Sequence, residues 1–336
     1  MTALLHERFP SLRETIPYVR LGEPPSPVLP LAALSEGSGC DVWLKDDGAY
    51  GAPQGGNKVR KLEWILPDVE ARGRRTIVTV GGLATNHGLA TAVWGGRRGL
   101  RTALALVDQP LDDHVHAQVA RIESSGARVY RTRGRYRTYL AAPWILLRHT
   151  DLRRGRLPYF LTVGGSSPLG CLGYVEAALE LGQQIERGEV PEPSHVVVAL
   201  GSGGTAAGLA AGLRIAGLRS RVVGVVVNDR TPVDAGAVTR LANRALELLR
   251  RRGADPGVPA LTAADIDSVT EWLGAGYGHR TPEAEQARDI VRRRDGLELD
   301  PVYTAKAIAG LVALRERGAF GAGPVLYWHT YGAPAR

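Results

Sequence analysis

At 336 residues the chain is long enough for two lobes, because single hydrophobic cores stop growing at roughly 250–300 residues. Apolar content of 44% with 23% charged residues is that of a globular enzyme, and no apolar run approaches the roughly 20 residues that cross a bilayer. The formal net charge of +8 raises nucleic-acid binding, with Arg128, Arg131, Arg133, Arg135 and Arg137 interleaved by Tyr130, Tyr136 and Tyr139. These arginines are spread over strand-like and helix-like segments rather than along one stripe, so a nucleic-acid partner is not expected.

In chain order, residues 1–30 are proline-rich towards their end and read as an extended arm. The first twenty mix His6, Glu7, Arg8, Arg13 and Glu14 among apolar residues, unlike a signal peptide, which makes a cytoplasmic location the expectation. A strand is predicted over 40–44, then a glycine-broken turn, then a helix over about 62–72 from the spacing of Leu62, Ile65, Leu66 and Val69. Strand and helix alternate from there: strands over 76–80, 102–107, 127–131 and 159–163, and helices over 88–96, 113–125 and 136–152. A second series follows, with strands over 195–200, 221–227 and 325–328. Its helices are predicted over 172–187, 205–213, 234–251, 283–294 and 305–317. Such alternation predicts an α/β fold with parallel sheets covered by helices. Cys40 and Cys171 lie far apart without metal-type spacing, so reduced thiols and no metal site are expected.

Four segments carry candidate chemistry. Asn57-Lys58 sits at the mouth of the glycine turn Gly55-Gly56 and at the start of a helix, where an amine is desolvated and can act as a nucleophile. Lys45, Lys58, Lys61 and Lys306 are the only lysines, and arginine cannot form a Schiff base, so if the protein carries a pyridoxal cofactor Lys58 is its best-placed anchor. A solvated lysine on a surface turn is the alternative. Gly201-Ser202-Gly203-Gly204-Thr205 follows the strand Val196-Val197-Val198-Ala199-Leu200 and opens a helix, which suits a phosphate but is neither a Walker loop nor a dinucleotide fingerprint. Gly81-Gly82-Leu83-Ala84-Thr85-Asn86-His87 has the same character, with Thr85 and Asn86 offering a hydroxyl and an amide. Tyr277 and Tyr303 supply phenols able to shuttle a proton, or are two ordinary half-buried tyrosines.

Taken with Gly164 to Gly173, Asp300 to Gly310 and His329 to Pro334, these segments resemble, in collinear order over nearly the whole chain, the fold-type II pyridoxal-phosphate enzymes. Within them the chain is similar to the family of 1-aminocyclopropane-1-carboxylate deaminase and D-cysteine desulfhydrase. The resemblance implies a fold like the tryptophan synthase β-subunit, with a large domain from 1–64 and 161–336, a small domain from 65–160, and pyridoxal 5'-phosphate between them. It implies that Lys58 carries the cofactor, with Asn57 beside it. Gly201, Ser202, Gly203, Gly204 and Thr205 would hold the phosphate, and Asn86 the ring oxygen. Thr85 would bind or protonate the substrate, Tyr277 and Tyr303 would flank the site, and Thr304 and Thr330 would face the cofactor.

Threonine at 304, where the ring-opening deaminases have glutamate against the pyridine nitrogen, points to β-elimination from a small amino-acid substrate such as D-cysteine. Ring opening, or action on another β-substituted amino acid such as cysteate, is the alternative. A non-catalytic protein that keeps the cofactor is the alternative of another class. The family implies a homodimer. Three positions depart from its pattern: Thr85 for a usual serine, Gly88 for a larger residue and Tyr331 for a usual glycine.

Overall fold

The computed structural model describes residues 2–36, 40–52 and 55–331. The predicted arm is partly helical: α1 (Leu4–Arg8) and α2 (Leu12–Thr15) lie against the body before β1 (Val28–Pro30), α3 (Ala32–Ser35) and β2 (Val42–Asp46). Leu5, Leu12 and Ile16 bury there, which fixes an arm whose prolines suggested only extension. Next comes α4 (Asn57–Ala71), which starts five residues earlier than predicted and so takes Lys58 into its first turn. The helix is buried almost all round, including Arg60, Lys61 and Glu63, so its apolar periodicity understates its length.

The chain then builds a four-stranded parallel sheet from β3 (Thr76–Gly82), β4 (Arg101–Val107), β5 (Arg128–Arg133) and β6 (Tyr159–Leu161), in the order β5-β4-β3-β6. Its helices are α5 (Asn86–Arg97), α6 (Asp113–Ser124) and α7 (Arg135–Arg148). A long helix, α8 (Pro168–Glu186), leads to β7 (His195–Leu200), α9 (Gly204–Ile215), β8 (Arg221–Val226) and α10 (Ala235–Arg251). The short strand β9 (Ile266–Val269) escaped the sequence reading because Asp267 and Ser268 interrupt its apolar run. Helices α11 (Pro282–Asp295) and α12 (Thr304–Glu316) precede β10 (Val325–His329). These elements complete a six-stranded sheet in the order β1-β2-β10-β7-β8-β9, parallel except for β1 on β2. Valine-rich strands buried on both faces suit a parallel sheet packed between helices.

A buried ionic cluster ties α4 to the six-stranded sheet. Arg60 donates Nε and Nη2 to the two oxygens of Asp47 at 2.9 and 2.8 Å, and Nη1 and Nη2 to Glu180 at 3.1 Å each. Lys45 pairs with Glu180 and donates to the Ser26 carbonyl at 2.8 Å and to Gln184 at 2.6 Å. Asp47 also accepts from the Tyr174 hydroxyl and the Trp328 indole, each at 2.8 Å. All four charged side chains are buried, which is tolerated because every one is paired and hydrogen-bonded. Cys40 and Cys171 are buried and form no disulfide among the described residues.

Candidate active site

A cavity of about 800 Å³ opens between the two sheets, at the carboxyl ends of their parallel strands. The N-terminal ends of α4, α5, α7 and α9 meet on its wall through Lys58, Asn86, Arg135 and Thr205, and Tyr303 adds the position just before α12. Free backbone N–H groups and the aligned peptide dipoles make each such end electropositive. Their convergence suits an anionic ligand.

Lys58 lines this cavity. Burial and the neighbouring Lys61 ammonium hold its amine well below the usual lysine range, against an opposing pull from Asp300. An amine that loses its proton this readily is a nucleophile and a base. Asn57, one residue earlier, donates its side-chain amide to the Thr205 hydroxyl at 3.0 Å, and its backbone N–H to the Thr330 carbonyl at 2.8 Å. The lysine's turn is thereby fixed to α9 and to the end of β10.

The loop between β7 and α9 is shaped as a cradle. Gly203 is left-handed at φ 85°, and α9 begins without a side-chain cap. A Cβ on Gly204 would stand 2.6 Å from Ser166 Oγ and 3.0 Å from Lys61 Nζ, and one on Gly164 would stand 2.1 Å from Ser202 Oγ. Ser166 Oγ accepts from the Gly204 N–H at 3.0 Å and bonds Ser202 Oγ at 2.8 Å. Lys61, not singled out from sequence, donates to the Gly164 carbonyl at 3.1 Å, and burial lowers it to about 8. A phosphate fits a concave, glycine-rich loop with a helix N-terminus and a buried ammonium beside it.

On the opposite wall, Thr85 caps α5 by accepting from the Gly88 N–H at 3.1 Å. Asn86 Oδ1 accepts from Gln118 at 2.7 Å, and the residue lines the cavity. His87 is buried on the wall with Nε2 unpartnered among the described residues. Burial and the ammonium groups of Lys58 and Lys61 keep it far below its usual range and therefore neutral. The hydroxyls of Tyr277 and Tyr303 share a 2.6 Å hydrogen bond with the rings edge-on, and burial raises both phenols.

Two predicted residues lie behind the wall instead of on it. Gly204 is buried at the root of the cradle, and Thr304 is fully buried. The Thr304 hydroxyl donates to Asp300 Oδ2 at 2.7 Å and accepts the Asp300 N–H at 2.9 Å. Asp300 also takes the N–H groups of Val302, Tyr303 and Thr304, and so clamps the start of α12 that carries Tyr303. Nothing in its spacing marked Asp300 beforehand. Thr330 and Tyr331 do line the cavity, whereas 332–334 of that motif lie outside the described residues. Part of the arginine cluster is also here: Arg133 and Arg135 reach the wall, as does Arg230.

Cradle, amine and paired phenols on two facing α/β sheets define a pyridoxal-phosphate enzyme, and the chain belongs to the pyridoxal-phosphate dependent enzyme family, which matches residues 19–330. It is 35% identical to the D-cysteine desulfhydrase of Klebsiella pneumoniae (strain 342), with 95% of each chain covered. The D-cysteine desulfhydrase of Salmonella newport (strain SL254) is equally similar, at 35% identity over 95% of each chain. Among solved structures, an ACC deaminase homologue superposes with a TM-score of 0.82 at 34% identity, covering 98% of this chain and 96% of its own. A threonine deaminase from T.th. shares the fold at a TM-score of 0.65 and 19% identity, covering 100% of this chain and 99% of its own.

Proposed function

We propose that the protein is a lyase that expels the β-substituent of a small amino acid, taking D-cysteine to pyruvate, ammonia and hydrogen sulfide. The observation that carries the reading is Lys58, an amine of lowered proton affinity lining the same cavity as the glycine cradle. When bound, pyridoxal phosphate withdraws electrons from the α-carbon of an amine attached to it. The phosphate would sit against Gly201, Ser202, Gly203 and Thr205, with Gly204 at the root of the loop and Lys61 as the nearby cation. Asn57, Asn86 and Thr330 would border the ring.

The remaining work belongs to this chain's own side chains. Lys58 takes the α-proton, a role that its lowered proton affinity suits. Thr85 and the start of α5 orient the substrate carboxylate. The Tyr277–Tyr303 pair holds a proton for the departing group, since one hydroxyl of a bonded pair donates and the other keeps a proton to give. Thr304 orders Asp300 behind Tyr303 and offers the site no carboxylate, because every acceptor of Asp300 is already engaged. That arrangement suits loss of a good leaving group better than opening of a cyclopropane. Lobes from 1–64 with 161–336 and from 65–160, a homodimeric assembly and a cytoplasmic location belong to the same proposal.

The test is keto-acid formation by the purified holoenzyme. D-Cysteine and β-chloro-D-alanine are expected to yield pyruvate, and aminocyclopropane carboxylate to yield little keto acid. Borohydride reduction is expected to fix the cofactor on the peptide containing Lys58, and Lys58→Ala to abolish turnover. Fixation at Lys45, Lys61 or Lys306, or ring opening without any β-elimination, would overturn the reading.

A further inference from the structure

The mouth of the cavity is more basic than a small neutral side chain requires. Arg133, Arg135 and Arg230 all reach its wall. Among the described residues none of the three is ion-paired, in contrast to Arg131, which pairs with Glu123 at 3.0 Å. Arg135 donates Nε to the Tyr139 hydroxyl at 3.2 Å, and Arg230 donates Nη1 to the Asp108 carbonyl at 2.7 Å while lying 5.6 Å over the ring of Tyr277. The one carboxylate on this wall, Asp229, accepts the Tyr277 N–H at 3.1 Å.

Backbone geometry brings these charges together. Arg133 is the only non-glycine residue with a left-handed backbone among those described, at φ 64°. It sits where the pairing of β4 and β5 slips by one residue, and the Asp108 N–H holds its carbonyl at 3.1 Å. A bulge of this kind re-aims a side chain, and a strained residue persists only where its surroundings impose it. The next residue, Gly134, begins α7 with no side-chain cap, and it lines the same wall. Three arginines thus share one cavity wall with an uncapped helix N-terminus, a combination that suits an anion. Tyr139, Ala142, Phe160 and Val163 border them with apolar surface able to take a short linker.

We propose that the substrate is a β-substituted alanine whose leaving group ends in an anionic oxyacid, such as a carboxylate or sulfonate. Arg133, Arg135 and Arg230, with the first turn of α7, bind that end. The proposal rests on the lyase reading and names its substrate class. For a thioether the balance is R–S–CH2–CH(NH3+)–COO− + H2O → R–SH + CH3–CO–COO− + NH4+. The Cβ–S bond breaks with its electron pair going to sulfur, the α-proton leaves, and water replaces nitrogen at the α-carbon. No oxidant is needed.

A matched pair of substrates tests this. S-Carboxymethylcysteine and its neutral isostere S-carbamoylmethylcysteine, each in D and L form, differ only in the charge at the far end. We expect the holoenzyme to favour the carboxylate by about tenfold or more in kcat/KM, chiefly through KM, with the preference shrinking as salt is raised. Arg133→Ala, Arg135→Ala and Arg230→Ala should each move the ratio towards one, and Arg133→Lys should retain part of it. Calorimetry with the des-amino analogue of the carboxymethyl compound reads the anion site without turnover. A ratio near one, with no calorimetric binding of that analogue, would overturn the arginine assignment and leave the lyase reading standing. Salt-sensitive binding of the analogue without keto acid from any compound would keep the anion site and overturn the lyase.

Discussion

Thr85 and Gly88 depart from the family's pattern separately in sequence but touch in the fold. A Cβ on Gly88 would stand 2.5 Å from the Thr85 methyl carbon. The methyl that threonine adds over serine therefore fills the space that a larger residue at 88 would claim, and the two changes compensate. We expect Gly88→Ala alone to destabilise by about 1–3 kcal/mol through overlap, and Thr85→Ser alone by about 1 kcal/mol through the void. The double variant should recover most of both losses, giving a coupling of about 1 kcal/mol or more in a denaturant-melt cycle. Additivity would show that the two positions are independent.

Lys61 carries a second expectation at this scale. Burial lowers its ammonium to about 8, so the charge beside the cradle is present below that pH and lost as pH rises through it. Pyridoxamine 5'-phosphate cannot form a Schiff base with Lys58, so its affinity reports the non-covalent contacts, the phosphate seat among them. Equilibrium dialysis should show affinity declining as pH rises past about 8 in the parent, and a lower, flatter profile in Lys61→Met. A parent profile as flat as the variant's would place the phosphate away from Lys61.

Among the elements, the arm is held by two carboxylates that reading in order did not connect to it. Glu176 on α8 accepts the N–H groups of Leu4 and Leu5 at 2.6 and 2.9 Å, and Glu63 on α4 accepts those of Leu21 and Gly22 at 2.9 and 3.2 Å. Burial pushes both carboxyls up to about 7 from 4.5. The native state therefore binds more protons than the unfolded chain between those values, and the resulting stability is lost as pH rises through about 7. Hydrogen exchange in 4–22, corrected for intrinsic rate, should be slower near pH 5.5 than near pH 8. Glu176→Gln, neutral at both, should remove the difference around Leu4 and Leu5.

These elements also show what was legible in sequence. Local signals placed β7 with its limits unchanged, and most other elements to within a few residues, because Val196 to Val198 and their like declare buried strands. The start of α4 was missed because Arg60, Lys61 and Glu63 look like a solvated face until their distant partners are known. Loop glycines and Lys58 announced themselves by residue type. Lys61 and Arg133 did not, since one acts through the distant Gly164 carbonyl and the other through a backbone bulge, and Asp300, whose partners are its near neighbours 302–304, has nothing in its residue type to set it apart from other helix-start carboxylates.

At the scale of the molecule, Lys45, Asp47, Arg60 and Glu180 join β2, α4 and α8 into one seat two residues from Lys58. Arg60→Met would leave the buried Asp47 without an ion partner and Glu180 with Lys45 alone, and is expected to cost about 3–5 kcal/mol, read as a fall in melting midpoint. Loss of under about 1 kcal/mol would show the cluster to be hydrated and dispensable. The four charges sum to zero, and this bears on descent. Any single replacement leaves an odd charge in the interior, whereas exchanging all four for apolar residues need cost little. No one-step path connects the two solutions, so a lineage inherits the seat whole. Single changes at the rim, at Arg133, Arg230 or Thr85, leave that seat intact and are expected to alter what is eaten without unsettling the foundation under the lysine.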